Sequence, residues 1–306
     1  MRVVNPKDYY HPQDRKALQE LQQIPGFSAV LKAFMKVFSE NMIQGMNMSN
    51  KVRITDKQLP ELYRLLPPLC ETLGIAEPEF YLELNPVANA YTMGDSIISI
   101  TVTSGLIELM DEKQLTAVIA HECGHIACRH VLYHTMADMV LGAGSAILGG
   151  NLITAGLQLA FFHWQRCSEL SCDRAAAVCM DGYETVAEVM ALLASGSAEL
   201  AKRIDMELYM EQAEDYRNFM NDSGWNKMLQ YYALMNQSHP FLSVRALEVR
   251  EWCGSDSFKN IMDYKYEQKP RLVIRKGICP GCGRETKEEW EFCRFCGRRL
   301  RGKEQS

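Results

Sequence analysis

Several things are missing from this 306-residue chain. It has no internal repeat and no low-complexity tract, which argues against fibrous architectures and gives disorder no compositional basis. Its first fifteen residues, Met1 to Arg15, carry charge and no apolar run, so no secretory signal is expected and the chain is assigned to a cytosol. Histidine is scarce, at seven residues, and charge of either sign is absent from Met139 to Phe162. By length alone that uncharged stretch would be a membrane span, but Gly142, Gly144, Gly149, Gly150 and Gly156 break it up.

What is present is an ordinary globular composition, 47% hydrophobic and 23% charged, at a length that suits one main domain and a small tail. The expected division is a helical region over 1–55, a principal domain over 56–268 and a small module over 269–306. Lys and Arg outnumber Glu by 11 to 5 in that last module, and are outnumbered 22 to 33 by Asp and Glu before it. The module lacks the interleaved aromatics on which single-stranded nucleic acid stacks, so no nucleic-acid partner is expected. Eleven cysteines, several within apolar helical stretches, suit a reducing compartment.

Patterning predicts a mainly helical α+β fold. Apolar residues at helical spacing from Pro12 to Met46, broken at Pro25-Gly26, read as two helices, and Gln58 to Leu73 reads as a third closed by Gly74. Residues 80–84 alternate as a strand does, and the β-branched run Ser96 to Thr103 is the best strand candidate. Asp111 and Gln114 form a capping box that opens a helix running to about 137. Another helix is expected from Trp164 to Met180.

The uncharged stretch is expected to bend at Gly149-Gly150-Asn151. Each arm of about 12 residues would reach only ~18 Å, too short to cross a bilayer. Such a hairpin packs on the protein, covers a cleft, joins subunits as a homo-oligomer or dips into a membrane surface. Peripheral association with a cytoplasmic membrane face is therefore the alternative location.

The chemistry centres on His121-Glu122-Cys123-Gly124-His125. Histidines four apart share one helix face and can grip one zinc ion, with Glu122 as the base for a zinc-bound water that attacks a peptide carbonyl. A catalytic zinc needs a third protein ligand and an open position. Val131, six residues past His125, is no ligand, and on a continuous helix His130 would stand about 180° from His121. The expected third ligand is Glu169, with Asp173 one turn on accepting the N–H of a ligand histidine.

With these residues in place the sequence resembles the HtpX and CAAX-prenyl-protease family of gluzincin metallopeptidases. Asn89-Ala90-Tyr91-Thr92-Met93-Gly94 is similar to the family's Asn-Ala-aromatic segment, and Gly105-Leu106 to the pair before its active-site helix. The resemblance implies that Asn89, Ala90 and Tyr91 bind substrate. His239-Pro240 with Arg245 matches a late family segment: His239 either donates to the oxyanion or closes the zinc's open position in a latent state, and Arg245 clamps substrate or an acidic neighbour.

Cys279-Pro280-Gly281-Cys282 and Cys293-Arg294-Phe295-Cys296, each followed by Gly, read as a zinc ribbon whose four thiolates hold a second, structural zinc. The function expected is a zinc endopeptidase acting on unfolded or damaged polypeptides in protein quality control. The alternative is a holdase-like polypeptide binder of low turnover on the same fold.

Overall fold

The helices of this chain begin and end where the backbone chemistry allows. A computed structural model describes residues 2–142, 155–221 and 241–267, together with the pairs 284–285 and 294–295. The first helix, α1 (Pro6–Tyr9), is capped by Asn5, and α2 (Pro12–Gln23) by the His11 ring, each with Pro in the first turn, where its missing N–H costs nothing. Gly26, at φ 97°, turns the chain into α3 (Phe27–Val37), and Ser39 caps α4 (Glu40–Asn50). The expected pair of helices over this stretch is thus three.

The short strand β1 (Val52–Arg53) leads to α5 (Pro60–Tyr63) and α6 (Leu66–Leu73), the latter closed by Gly74 at φ 67° as expected. The single helix predicted from Gln58 to Leu73 is broken because Pro67 and Pro68 can continue no helix begun before them. Then come β2 (Glu79–Glu83), β3 (Ala90–Met93) and β4 (Ser99–Thr103). They form a four-stranded sheet in the order β1-β2-β4-β3, with β2 and β4 parallel and the outer pairings antiparallel. The strongest strand candidate, β4, is buried along its whole length between its neighbours, and β1 and β3 are the edge strands.

After β4 the chain makes a short helix, α7 (Ser104–Leu109), and then α8 (Glu112–Ala127), which carries the histidines. Both halves of the Asp111–Gln114 capping box are formed. Helices α9 (Val131–Gly142), α10 (Ala155–Met180), α11 (Glu184–Ser195), α12 (Ala198–Ala201), α13 (Met206–Asn221), α14 (Leu242–Cys253) and α15 (Asp256–Tyr266) follow. The fold is predominantly helical α+β, and Arg2–Lys265 form one compact unit.

The core has two parts. One joins the sheet to α6, α8, α10, α11 and α14 through residues such as Leu66, Ile100, Ile119 and Leu247. The other packs Leu21 of α2 and Phe27, Val30 and Phe34 of α3 against Met136 of α9 and Leu157, Phe161 and Trp164 of α10. Within the uncharged stretch, Leu157 and Phe161 are thus buried against the N-terminal helices. Residues 143–154, which include its glycine bend, lie outside the described residues, and among the described residues no helix is long and apolar enough to cross a membrane. His239 and Cys279, Cys282, Cys293 and Cys296 also lie outside them. In the C-terminal unit the Arg284 guanidinium stands 4.9 Å from the centre of the Phe295 ring.

Candidate metal centre

Two helices build the site. Helix α8 presents His121 and His125 one turn apart, and α10 lies across it with Glu169 and Asp173. Their approach depends on Gly124: a Cβ there would come within 2.9 Å of the Ala175 Cβ and 3.0 Å of the Cys172 Cα. Gly105 has a similar role at the sheet, since its Cβ would meet the Pro86 carbonyl oxygen at 2.2 Å.

The Nε2 atoms of His121 and His125 each stand 3.4 Å from a different oxygen of the Glu169 carboxylate. Behind them, His121 Nδ1 is 3.0 Å from Asp173 Oδ1, so Nδ1–H donates there and the Nε2 lone pair faces Glu169. With Nε2 deprotonated an acceptor faces an acceptor, an arrangement that calls for a cation between them, either a metal ion or the proton that His121 takes up in its absence. Donors about 2.0–2.2 Å from a tetrahedral zinc stand roughly 3.3 Å apart, and the observed spacing suits that ion. Burial opposes charge on His121, but Asp173 and Glu169 outweigh it and lift the imidazole to about 10. Burial is the main cause that pulls His125 below its ordinary value.

Arg245 of α14 ties the carboxylates together. Its Nε and Nη2 donate to Asp173 at 2.8 and 2.6 Å, and its Nη1 stands 2.9 Å from Glu169 Oε2. Burial would raise Asp173, yet Arg245 and His121 hold it below its usual range. Of the two roles read for Arg245, the acidic neighbour is the one it contacts here, and it also lines the cleft.

Glu122 is 1% exposed and accepts a 2.6 Å hydrogen bond from Thr92 of β3. With His121 it opens onto a cleft of about 290 Å³, bordered by Asn89 and Ala90 of the sheet edge and walled by Val186, Val189, Met190 and Leu193 of α11. Tyr91 departs from the expected trio. Strand alternation turns its side chain away from Ala90 and Thr92, and its hydroxyl donates to Glu83 at 2.5 Å and accepts from Lys51 at 2.8 Å.

Sequence reasoning misplaced His130. Helix α8 stops at a Schellman cap in which His130 N donates to the His125 carbonyl and Arg129 N to that of Ile126. The left-handed residue of the cap is Arg129, at φ 61°. Glycine usually signals such a cap, so the sequence reads as a continuous helix that carries His130 to the far face. The turn instead brings His130 Nδ1 to 3.3 Å from His125 Nδ1.

Among the described residues, two other groups of side chains come within ligand reach of one another, His121-His125-Cys172 and His125-His130-His134. Burial pushes the Cys172 thiol well up, which keeps it a poor ligand. His134 Nε2 is already paired with Ser168 Oγ at 2.8 Å. The carboxylate of Glu169 is the better third donor, since it brings the negative charge that a divalent cation favours. Cys123, on the metal helix, is fully buried, and its contact with Cys70 and its burial raise it well above its ordinary value. It is an inert core thiol.

An H-E-x-x-H helix, a carboxylate from a later helix and a sheet edge beside them are the fold and site of a zinc metalloprotease. The Peptidase family M48 model matches residues 56–253. The chain is 33% identical over 262 residues to the plastoglobule-localized metallopeptidase 48, chloroplastic, of Arabidopsis thaliana, which covers 83% of this chain and 75% of the relative. It is 28% identical over 123 residues to the protease HtpX homolog of Ralstonia nicotianae, 40% of this chain and 42% of that protein. With the HtpX homolog of a Sulfurihydrogenibium species it shares 33% identity over 106 residues, 31% and 36% of the two chains. It thus spans about two fifths of these HtpX homologs. No solved structure matches it. The chain belongs to peptidase family M48.

Proposed function

We propose that the protein is a zinc endopeptidase that hydrolyses peptide bonds in unfolded or damaged polypeptides. The observation that carries this reading is the convergence of two imidazole Nε2 atoms on one carboxylate, with Glu122 on the same helix beside them. His121, His125 and Glu169 would hold the zinc, which as a Lewis acid polarises the scissile carbonyl and makes water easier to deprotonate.

The chain's own residues do the rest. The β3 edge, with Asn89 and Ala90 at the border of the cleft, would lay an extended substrate alongside Glu122. The apolar wall of α11 favours an apolar side chain next to the cut. Glu122 takes a proton from the attacking water and passes it to the departing amine nitrogen. Asp173 fixes the His121 tautomer, and Arg245 neutralises the carboxylates behind the site. His239 remains the proposed oxyanion donor or latent ligand. A holdase would have no use for a buried base aimed by a hydrogen bond, which favours turnover over mere binding.

Cys279, Cys282, Cys293 and Cys296 are proposed to hold a structural zinc in a module that recruits substrate or partner. The cysteine-rich composition supports a reducing compartment such as the cytosol, and the plastoglobule-localized relative supports contact with a lipid surface. Cleavage of unfolded casein with and without chelator tests the main reading. Activity that survives chelation, or survives Glu122→Gln in a zinc-loaded protein, would overturn it. Metal analysis should find two zinc per chain, one lost in Glu169→Ala and the other in Cys279→Ser.

A further inference from the structure

Behind His125 lies a chain of polar groups that the reaction does not itself require. Nε2 of His125 faces Glu169, so a His125 that gives its Nε2 lone pair to a metal ion between them carries its proton on Nδ1. That atom is 3.3 Å from His130 Nδ1. If His130 accepts there, its own proton sits on Nε2, which stands 3.0 Å from Asp14 Oδ2. Each donor then meets an acceptor, and both rings are neutral. Ser171 Oγ donates to the same Asp14 oxygen at 2.5 Å, and the Tyr10 hydroxyl is 3.3 Å from His130 Nε2. The Cys172 thiol, 3.6 Å from His130 Nδ1, is the weaker donor to that atom. Tyr10 and Trp164 meet the His130 ring edge-on and fix its plane.

Asp14 and His130 are both 0% exposed. A carboxylate that deep is unfavourable unless hydrogen bonds hold it, and apolar packing alone would be served better by leucine. Asp14 comes from α2, outside the residues 56–253 that match the family model. We propose that Asp14 and His130 are positioning residues for the metal: they fix His125 with its Nε2 lone pair toward the ion, as Asp173 fixes His121. One ligand histidine is thus supported directly by a carboxylate, and the other by a carboxylate acting through a second imidazole. Removal of such support typically weakens metal binding 10–100-fold.

The proposal rests on the zinc site described above, and its test separates the two. The zinc that Glu169→Ala removes is titrated against a fluorescent chelator in the full-length chain, in the parent, in His130→Asn and in Asp14→Asn. Asp14→Asn keeps size and shape and carries the test if His130→Asn does not fold. The expected result is affinity about tenfold weaker in Asp14→Asn and up to 100-fold weaker in His130→Asn, with kcat largely recovered at saturating zinc. Unchanged affinity in variants whose melting temperature falls would make the two residues merely structural and overturn the proposal. Loss of a whole zinc equivalent at saturation in His130→Asn would also overturn it, because a metal would then lie between His125 and His130. A parent that holds no zinc sensitive to Glu169→Ala would instead overturn the site reading.

Discussion

The cleft side of the metal centre and its rear use opposite physics. On the cleft side His121 lies among formal charges, Asp173, Glu169 and Arg245, beside a cavity walled by α11. At the rear His125 meets the imidazoles of His130 and His134, which pack in turn against the Trp164 indole, and His130 reaches the charge of Asp14 on α2. Charges near the open side can respond to metal and substrate. The closed side is fixed by packing, and there Asp14 of α2 reaches the imidazole behind His125.

The largest effect that would test this division is on Glu122, the proposed base on the cleft side. Glu122→Gln is expected to lower kcat about 10³-fold while zinc content stays at the parental value. Zinc loss in that variant would instead make Glu122 part of the metal's support.

The next effect falls on the charge clamp. Arg245→Met leaves Asp173 and Glu169, each 2% exposed, without their shared cation, which should cost about 3 kcal/mol of stability in urea unfolding of the zinc-free protein. Arg245→Lys should recover only part, since an ammonium cannot serve two oxygens of Asp173 and one of Glu169 in a planar fork. Undiminished stability in Arg245→Met would mean that the cleft side is not held by charge.

The rear side has a pH signature of its own through His11, the N-cap of α2. Burial first, then Arg174, pushes His11 down to about 4, against the pull of Asp14 and Asp173. Between about pH 4 and 6.5 the unfolded chain therefore binds more protons than the folded one, and stability falls as pH drops through that window. Protonation would also remove the Nδ1 acceptor that caps Gln13 N. From pH 7 to pH 5 the expected loss is about 2 kcal/mol. His11→Asn, which keeps a capping side chain, should flatten this part of the curve. A curve that stays equally steep in His11→Asn would assign the effect to other groups.

The same division explains what could be read in the sequence. The cleft side is written in local periodicity: His121 and His125 at i and i+4, Glu169 and Asp173 at i and i+4, Asp111 and Gln114 at the cap. The rear is written in contacts that span the chain. Asp14 and His130 are 116 positions apart, and their meeting depends on a helix cap whose left-handed residue is arginine, which carries no cap signal. The edge strand was hidden for a related reason. Strand β4 has the stronger β pattern because it is interior, whereas the edge strand Ala90–Met93 is short and looks like a loop.

The smallest predicted effect lies where that edge meets the base. Thr92 Oγ1 donates to Glu122 Oε2, and Glu122 Oε1 has no protein partner among the described residues. One carboxylate oxygen is thus tethered and the other is left to meet water. Thr92→Val is nearly isosteric and removes only the donor, so the base keeps its place but loses its aim. The expected change is about a tenfold fall in kcat, about 1.4 kcal/mol of barrier, with KM and zinc affinity near the parental values and recovery in Thr92→Ser. A rise in KM at constant kcat would move Thr92 from the base to the substrate strand, because backbone pairing along β3 contributes to substrate binding before and during the reaction alike. The edge would then serve binding alone, and Glu122 would be aimed by its helix.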